Sequence, residues 1–354
     1  MTNGNAGKQY LAEYCAKTQS LLEAFFCEKL REAKHIGQLP RVALEHFMTI
    51  SLKGKRIRGA LFCLGFEAAG GEVTDDVLRA SLSVELFHTG GLVQDDIVDR
   101  DETRRGLPAL HKELQEFATS GNPNFGDSLT IFMGDIAMFY SYELIASSTL
   151  PASRVQTALG AFSRYASTTC YGQILDIANS FNADKSEKDI LSVMRWKTCE
   201  YTGVMPLMLG AILAGCADKE KLRAFERYGQ ALGWAFQIQD DILGMFGDEK
   251  VTGKPVGNDM REGKYTLLML HLAKHGSDKQ KQLLTKFLGN KGANPEDVSL
   301  MQHALKNSGA YDHVLTLGER YVEEGRREIP RMTLAKDTQA ILSSLLSFML
   351  ERMK

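Results

Sequence analysis

The sequence is poor in proline, in paired cysteines and in net charge. Only 8 of 354 residues are proline, and the six cysteines include no C-x-x-C pair. The formal net charge of -2 gives no electrostatic reason to expect nucleic acid or an anionic membrane surface as a partner. No signal peptide is recognisable at the N-terminus, so we expect free thiols and a cytoplasmic location.

Long apolar runs and low-complexity linkers are also scarce. The longest uncharged apolar run, residues 203–217, contains Pro206 and is shorter than the roughly 20 residues that span a bilayer. We therefore expect no transmembrane segment. Since no linker divides the chain, we predict a single domain over residues 1–354, with residues 1–8 as a disordered tail.

Helical periodicity runs through most of the chain. Apolar residues recur three and four positions apart, and no strand or hairpin signal is evident, so the sequence predicts an all-α protein. Asp75 or Asp76 is expected to cap the helix that ends near Asp99. The other main helices are expected at 10–33, from 41 onward, and at 127–148, 153–179, 218–245, 280–288, 296–307, 311–328 and 337–353.

The most informative stretch is an acidic motif at the end of one predicted helix, Asp95-Asp96-Ile97-Val98-Asp99. Asp95 and Asp99 lie one turn apart, where carboxylates repel one another and oppose the helix dipole unless a cation is bound. All donors are hard oxygens, with no cysteine or histidine at metal spacing, which favours magnesium. The alternative is a solvated, charge-paired helix end.

A second acidic motif, Gln239-Asp240-Asp241-Ile242, lies on a separate predicted helix, and basic clusters accompany both motifs. The clusters are residues 53–58, the pair Arg104-Arg105, and a loop that contains Lys254 and Lys264. Arginine and lysine can bind phosphate groups, although a short basic run alone is more typical of a solvated turn. We expect the two halves of the chain to face each other across a cavity.

These motifs, in this order over residues 40–265, resemble those of the trans-isoprenyl diphosphate synthases, the polyprenyl synthetase family. The resemblance implies an isoprenoid synthase fold of roughly 12–14 helices around a deep central cavity, and a homodimer. It also implies about three Mg²⁺ ions. The implied reaction is head-to-tail condensation of isopentenyl diphosphate with an allylic diphosphate (dimethylallyl, geranyl or farnesyl diphosphate).

The resemblance also assigns roles to individual residues. The metal ligands would be Asp95, Asp96, Asp99, Asp240 and Asp241. The diphosphate of isopentenyl diphosphate would be held by Lys55, Arg58, His88 and Arg105. The allylic diphosphate would be held by Arg104, Lys197, Lys254 and Lys264. Thr198 and Gln237 would lie near the reacting carbons and the departing diphosphate, and Gln173 and Asp176 at the cavity wall. The candidate catalytic set is Asp95, Asp96, Asp99, Arg104, Lys197, Thr198, Gln237, Asp240 and Lys254.

In this reaction the acidic residues act as metal ligands. Negative charge develops on diphosphate as the allylic bond breaks, and magnesium with fixed cations stabilises that charge. General acid–base catalysis by the aspartates is not needed.

Three positions leave alternatives open. The second motif often ends in a third aspartate, and here that position is Gly244, which puts one metal contact in doubt. Asp259 matches a nearby position whose role stays open. His88 can be a hydrogen-bonded core histidine instead of a ligand, although it lies two turns before Asp95 on the same side of the helix.

Product length is expected to depend on Phe87, Gly90 and Gly91. By resemblance, short-chain members of the family tend to carry aromatic rings at the positions of Gly90 and Gly91, so two glycines leave room for a longer isoprenoid tail. Phe87 would then form the floor of the tunnel. The alternative is that the glycines only allow close helix packing.

We therefore predict geranylgeranyl diphosphate as the product, with farnesyl or longer polyprenyl diphosphates as alternatives. Two other classes are open. A class I terpene cyclase shares the aspartate-rich metal site but needs no second diphosphate pocket. A non-catalytic regulatory subunit is able to lose its acidic motifs, whereas both motifs are present here.

Overall fold

A computed structural model describes residues 5–119, 121–180, 186–247 and 256–351. This part of the chain is almost entirely helical, which confirms the all-α prediction. It contains more helices than the roughly 12–14 expected for such a bundle, because several short helices connect the long ones. The α-helices are α1 (Ala6–Ile36), α2 (Gln38–Leu52), α3 (Ile57–Ala68), α4 (Asp75–Asp99), α5 (Leu110–Gln115), α6 (Phe125–Ala146), α7 (Ala152–Ser180), α8 (Glu187–Val193), α9 (Met205–Ala214), α10 (Lys219–Phe246), α11 (Asn258–Arg261), α12 (Leu267–His275), α13 (Asp278–Phe287), α14 (Pro295–Asn307), α15 (Ala310–Glu328) and α16 (Lys336–Glu351).

Two further helices of other types and two short strands complete the described chain. A π-helix, Met194–Val204, follows α8, and a short 3₁₀ helix, Ile329–Met332, follows α15. Strands β1 (Thr103–Arg104) and β2 (Leu107–Pro108) form an antiparallel pair, with Arg104 opposite Leu107. The prediction of no hairpin was therefore wrong at this one place.

The chain forms two compact units. The first comprises residues 9–161 and 209–217, and the second comprises residues 1–8, 162–208 and 218–354. The earlier expectation of one domain around a central cavity stays a prediction.

The first unit contains α2 to α6 and most of α1. Its core is built from aromatic and aliphatic side chains of α1, α2, α4 and α6, with Phe26 and Phe47 fully buried and in edge-to-face contact. Helices α4 and α6 approach closely at Gly90, because this residue has no side chain. A Cβ atom there would lie only 3.1 Å from the carbonyl oxygen of Gly134. This packing fixes the helix that carries the first acidic motif.

The second unit contains α8, the π-helix and α10 to α16. Helix α10 passes through it and buries Tyr228, whose hydroxyl donates to the carbonyl oxygen of Leu342 at 2.8 Å. A separate core of aliphatic side chains surrounds the C-terminal half of α10, with Ile238 and Leu268 among its fully buried members. The second acidic motif lies on this half of α10, so the core fixes its orientation.

The predicted start of α1 and the predicted cap of α4 were wrong. Helix α1 begins at Ala6, so residues 6–8 are not a disordered tail. The Gly7 N–H donates to the Ser344 hydroxyl at 2.9 Å, which fixes this end of the helix. Thr74, not an aspartate, caps α4, because its hydroxyl accepts from the backbone N–H of Val77. Asp76 lies in the first turn and accepts from Thr149 instead.

Among the described residues, α6 alone is long and apolar enough, by length and composition, to cross a membrane. Its mean hydropathy is 1.3, and 39% of the tested stretch is buried inside the protein. A core helix of a soluble protein meets the same criteria, so the absence of a transmembrane segment stays a prediction.

Candidate active site

The first acidic motif occupies the last turn of α4, and its aspartates have different surroundings. Asp95 and Asp99 are half-buried and lie one turn apart, as the spacing predicts. Asp96 has 0% of its surface exposed. The side chains of Asp95 and Asp99 are therefore partly accessible, whereas Asp96 faces the interior of the unit.

Asp96 is paired with Arg104, a residue predicted to hold the allylic diphosphate. The Arg104 Nε donates to Asp96 Oδ1 at 2.8 Å, and Arg104 Nη2 donates to the same oxygen and to Asp101 Oδ2, the latter at 2.8 Å. Burial alone would lower the pKa of Arg104, but the hydrogen bond and the charge of Asp96, with Asp101, raise the pKa of this guanidinium instead. Two buried carboxylates thus keep Arg104 charged and in place.

A tight turn gives the neighbouring arginines different directions. Arg105 and Gly106 both have positive φ, 54° and 71°, as the central residues of a two-residue hairpin loop of this kind require. Arg104 binds the two aspartates, while Arg105 Nη1 donates to the carbonyl oxygen of Ile50 at 2.7 Å. Gly106 tolerates this backbone without cost, whereas Arg105 adopts a conformation that is rare for residues with a side chain.

The predicted isopentenyl diphosphate residues come from three segments of the first unit. Lys55 is exposed, Arg58 is buried in the first turn of α3, and His88 is partly buried on α4. Burial, and then the positive charges of Arg58, Arg105 and Arg104, hold the pKa of His88 well below its ordinary value. His88 is therefore neutral at physiological pH, and an anion placed among these cations would favour its protonation.

This environment predicts that His88 contributes to a loss of stability in mild acid. Its folded-state pKa is depressed, so the stabilising contribution is present above the ordinary histidine pKa of about 6.5 and is lost as pH falls below that value. The free energy of unfolding should fall by up to about 1.4 kcal/mol per pH unit, the limit for one proton.

Urea titrations between pH 7.5 and 5.5, on the wild type and on His88→Gln, measure this contribution. The substituted protein should lose less stability over that range. An identical fall in both proteins would contradict the prediction. His111→Gln is a useful comparison, because His111 is also buried with a lowered pKa but is not among the proposed anion-binding residues.

The residues predicted to set product length differ in their surroundings. A Cβ atom at Gly90 would lie 2.8 Å from Ala137 Cβ, so the packing alternative holds at Gly90. At Gly91 a Cβ atom would meet nothing within 4 Å. Phe87, one turn earlier, is buried. Gly91 alone of the two glycines therefore leaves space that a larger side chain can fill.

The second acidic motif is connected to the π-helix by a chain of hydrogen bonds. The Thr198 hydroxyl donates to Gln237 Oε1 at 2.7 Å, and Gln237 Nε2 donates to Asp241 Oδ1 at 2.7 Å. Beside them, Lys197 Nζ lies 2.6 Å from Asp176 Oδ2 on α7. Four predicted site residues (Lys197, Thr198, Gln237 and Asp241) and the predicted wall residue Asp176 therefore belong to two adjoining networks. Gln173 lies partly exposed on α7.

Close backbone packing explains these contacts. A Cβ atom at Gly203 would lie 2.0 Å from the carbonyl oxygen of Gly229, and one at Gly233 would lie 2.5 Å from the Cα of Cys199. Each glycine thus lets α10 contact the π-helix directly. Although π-helices are rare, those that occur are often at functional sites. This one carries Lys197 and Thr198. The sequence predicted a helix in this region, but not its wider turns.

Asp241 and Asp259 are crowded carboxylates. Burial raises the pKa of Asp241 well above its ordinary value, and the charges of Asp259 and then Asp240 raise it further. A Cβ atom at Gly244 would lie 1.9 Å from Asp259 Oδ2. The Asp259 carboxylate thus occupies the space next to the position where the motif lacks its third aspartate. Such a cluster of carboxylates fits a bound cation.

Of the two loop lysines, only one is described. Lys264 forms an ion pair with Glu262, with 2.9 Å between Nζ and Oε2. Lys254 lies outside the described residues, so its predicted role stays a prediction.

The donor chemistry of both motifs fits Mg²⁺. Within the part of the chain that the structure describes, no three His, Cys, Asp or Glu side chains form a ready-made metal site. Mg²⁺ usually takes one or two carboxylates and completes its shell with water and substrate phosphates. The motifs are therefore suited to a metal that arrives with a diphosphate, not to a closed protein cage.

Sequence reasoning missed Asp101 as a member of the site. Its carboxylate is buried and binds Arg104, and its backbone N–H donates to the carbonyl oxygen of Asp96 at 3.0 Å. Helix α4 ends before Arg100, which adopts the left-handed conformation with a φ of 60°. The chain turns at this residue, so Asp101 lies close to the end of α4. The position of Asp101 three residues before an arginine was the only available signal. Two carboxylate clusters with arginines nearby are the features expected of a class of proteins that bind a phosphorylated ligand together with a divalent metal.

Comparison with known proteins agrees with this class. The sequence profile of the polyprenyl synthetase family matches residues 41–305. The chain is 30% identical over 321 residues to the geranylgeranyl diphosphate synthase of Sulfolobus acidocaldarius, covering 90% of this chain and 93% of that one. It is 33% identical over 310 residues to the geranylfarnesyl diphosphate synthase of Aeropyrum pernix, covering 86% and 92%.

A solved structure shows the same fold. The geranylgeranyl pyrophosphate synthase of Corynebacterium glutamicum, crystallised with isoprenyl diphosphate and magnesium, is 32% identical. It matches with a TM-score of 0.90 over 97% of this chain and 99% of that one. The chain belongs to the polyprenyl synthetase family, and it is a trans-prenyltransferase.

Proposed function

We propose that the protein condenses isopentenyl diphosphate with an allylic diphosphate and makes geranylgeranyl diphosphate as its main product. The observation that carries this proposal is the basic set of Lys55, Arg58, His88 and Arg105, which lies in the same unit as the first acidic motif. A carboxylate–metal site alone serves one diphosphate, whereas a separate basic set provides for a second. The relatives named as geranylgeranyl diphosphate synthases support the product.

The side chains have distinct tasks in this reaction. Bound Mg²⁺ supplies positive charge to the departing diphosphate. Arg104 and Lys197 add fixed cations, which stabilise the charge that develops as the allylic C–O bond breaks. The alkene of isopentenyl diphosphate then forms the new C–C bond, and the proton lost from it passes to the released diphosphate. No nucleophilic side chain is needed.

We propose Asp95, Asp99, Asp240 and Asp241 as the metal-binding carboxylates, with Asp259 in place of the missing third aspartate of the second motif. The crowding of Asp259 against Gly244 and Asp241 supports this addition. Asp96 was predicted as a ligand, but its pairing with Arg104 favours a supporting role. The number of ions stays at the family expectation of about three.

The direct test is product analysis with purified protein. Incubation with isopentenyl diphosphate, farnesyl diphosphate and Mg²⁺ should give geranylgeranyl diphosphate. Failure to extend farnesyl diphosphate would refute the product assignment. Turnover of an allylic diphosphate without isopentenyl diphosphate would favour the cyclase alternative, and inactivity of the purified chain would favour a regulatory subunit.

Product length should change with side-chain volume along α4. Gly91→Phe should shorten the main product, because the ring would fill the open space at this position, whereas Phe87→Ala should lengthen it by removing the proposed floor. Chromatography of dephosphorylated products measures both shifts. Gly90→Ala is the control, since its methyl group meets α6 and should lower stability without a matching change in chain length. Unchanged products in both test variants would contradict the proposed roles.

We further propose a homodimer in the cytoplasm, folded as one functional domain. Two phenylalanines of α6, Phe132 and Phe139, are 66% and 69% exposed, and apolar surface of this kind marks protein interfaces. The six cysteines are all free thiols, in agreement with a reducing compartment. Sedimentation equilibrium would measure the oligomeric state.

A further inference from the structure

Glu85 is a buried carboxylate among the cations proposed to bind isopentenyl diphosphate, and no role in substrate or metal binding has been assigned to it. Only 5% of its surface is exposed. It lies on α4 three residues before His88, so the two side chains share one side of the helix. A buried carboxylate costs free energy unless it is hydrogen-bonded and paired with positive charge.

The first partner of Glu85 is the start of α3. This helix begins at Ile57 after Arg56, which has a φ of 49° and provides no side-chain cap. The N–H of Gly59, the third residue of the helix, instead donates to Glu85 Oε1 at 2.7 Å. Glu85 therefore caps α3 from a neighbouring helix, as a side chain at the N-cap normally does. The residue between Ile57 and Gly59 is Arg58, so the cap fixes the backbone that carries it.

The backbone at Gly59 has little freedom to move. A Cβ atom there would lie 2.0 Å from the Tyr14 hydroxyl oxygen, so the tyrosine of α1 lies directly on this glycine. The Tyr14 hydroxyl is in turn hydrogen-bonded to Ser81 at 2.6 Å, one turn before Glu85 on α4. Helices α1, α3 and α4 thus meet around the Glu85–Gly59 contact, which makes the geometry of the cap precise.

The second contribution of Glu85 is its charge. Burial, together with the charges of Arg104, Arg58 and Arg56, lowers the pKa of Arg105 to about 10, although the charge of Glu85 raises it. The charge of Glu85 thus offsets part of the repulsion between Arg105 and the neighbouring arginines. Arg56 is fixed independently, since its guanidinium donates to Thr18 and Gln19 of α1. Glu85 thus bears on Arg58 through the start of α3, and it bears on Arg105 through its charge, in addition to the hydrogen bond from Arg105 to Ile50.

We propose that Glu85 is a positioning residue of the isopentenyl diphosphate site: by capping α3 and balancing charge, it holds Arg58 and Arg105 where they receive the diphosphate. It does not touch the substrate. The inference rests on the proposed function of the basic set. Simple charge repulsion predicts that removing a negative charge beside an anion site strengthens anion binding. If Glu85 positions the arginines, its loss should instead weaken anion binding.

Glu85→Gln tests the proposal, because the amide keeps an acceptor for Gly59 but loses the charge. The KM for isopentenyl diphosphate should rise by roughly tenfold, because the hydrogen bond from Gly59 loses its charged acceptor and the neighbouring arginines lose a counter-charge. The KM for farnesyl diphosphate should stay within about twofold. If Glu85 acted on the substrate only through its charge, the variant would bind isopentenyl diphosphate more tightly. Tighter or unchanged binding overturns the proposal.

Two further variants separate positioning from general destabilisation. Glu85→Asp keeps the charge but shortens the side chain, so it should weaken binding less than Glu85→Gln. Glu143→Gln removes a carboxylate that pairs with buried Lys29 in the same unit, away from the basic set, and should leave both KM values unchanged. If Glu143→Gln raises the KM for isopentenyl diphosphate as much as Glu85→Gln does, the effect is general and the proposal fails.

Calorimetry with isopentenyl diphosphate reports binding without turnover. Weaker binding by Glu85→Gln than by the wild type supports the proposal, even if the product differs from geranylgeranyl diphosphate. A wild type that neither binds nor consumes isopentenyl diphosphate refutes the proposed function itself, and with it the role of Glu85.

Discussion

Asp95→Asn is expected to lower kcat by about three orders of magnitude, a loss comparable to that of a main electrostatic contact in a transition state. The substitution keeps the shape of the side chain and removes the charge that the proposed metal site uses. Asp95 is half-buried on the exposed side of α4, so the fold should be unchanged. Removing one of the crowded carboxylates should not lower stability.

Steady-state kinetics over a range of Mg²⁺ concentrations measures this effect. The variant should need more Mg²⁺ for half-maximal activity, in addition to its lower kcat. Asp312→Asn is the control, because Asp312 is an exposed aspartate outside both motifs and its replacement should change neither value. A kcat within tenfold of the wild type would show that Asp95 is not a metal ligand.

Asp96→Asn is expected to destabilise the protein by about 3–5 kcal/mol, the usual cost of leaving one partner of a buried ion pair without its counter-charge. Asp96 is fully buried and binds Arg104. Substitution of these adjacent aspartates should therefore have different effects. Asp95→Asn should lower kcat and leave the free energy of unfolding unchanged, whereas Asp96→Asn should lower the free energy of unfolding. Denaturation in urea of both variants measures the contrast.

A double-mutant cycle identifies the partner. Arg104→Met combined with Asp96→Asn should cost less than the two single substitutions together, because each single change already removes the contact between these two side chains. Asp101 keeps a contact with Arg104 in the single variant, so the loss should lie toward the lower end of the range. Additive losses would show that the Asp96–Arg104 pair does not carry the effect.

The helices and both acidic motifs were predictable, because helical periodicity and the i, i+4 spacing of Asp95 and Asp99 are local properties of the sequence. The turn at Arg105-Gly106 was not predictable in the same way. Type I′ loops prefer Asn-Gly or Asp-Gly, and an arginine in the left-handed conformation requires tertiary support. The hydrogen bond from Arg105 to Ile50 is part of that support, and it joins residues far apart in sequence.

The two neighbouring glycines of α4 are a second feature whose surroundings the sequence alone does not predict. Gly90 and Gly91 are identical neighbours, but one is packed against α6 and the other faces open space. No local pattern separates them, because the difference comes from Ala137. Likewise, the carboxylate beside Gly244 comes from Asp259, on the short helix α11. The sequence showed that the third aspartate was missing, but not which residue occupies its place.

The backbone contacts between α10 and the π-helix also have a mechanical consequence. Main-chain atoms of the two helices lie against each other at Gly203 and Gly229, and Gly233 lies against the Cα of Cys199. Such contacts cannot slide without a steric clash, since packed interiors deform little. We therefore expect the π-helix and α10 to move together when this unit bends, which would keep Thr198, Gln237 and Asp241 close to one another.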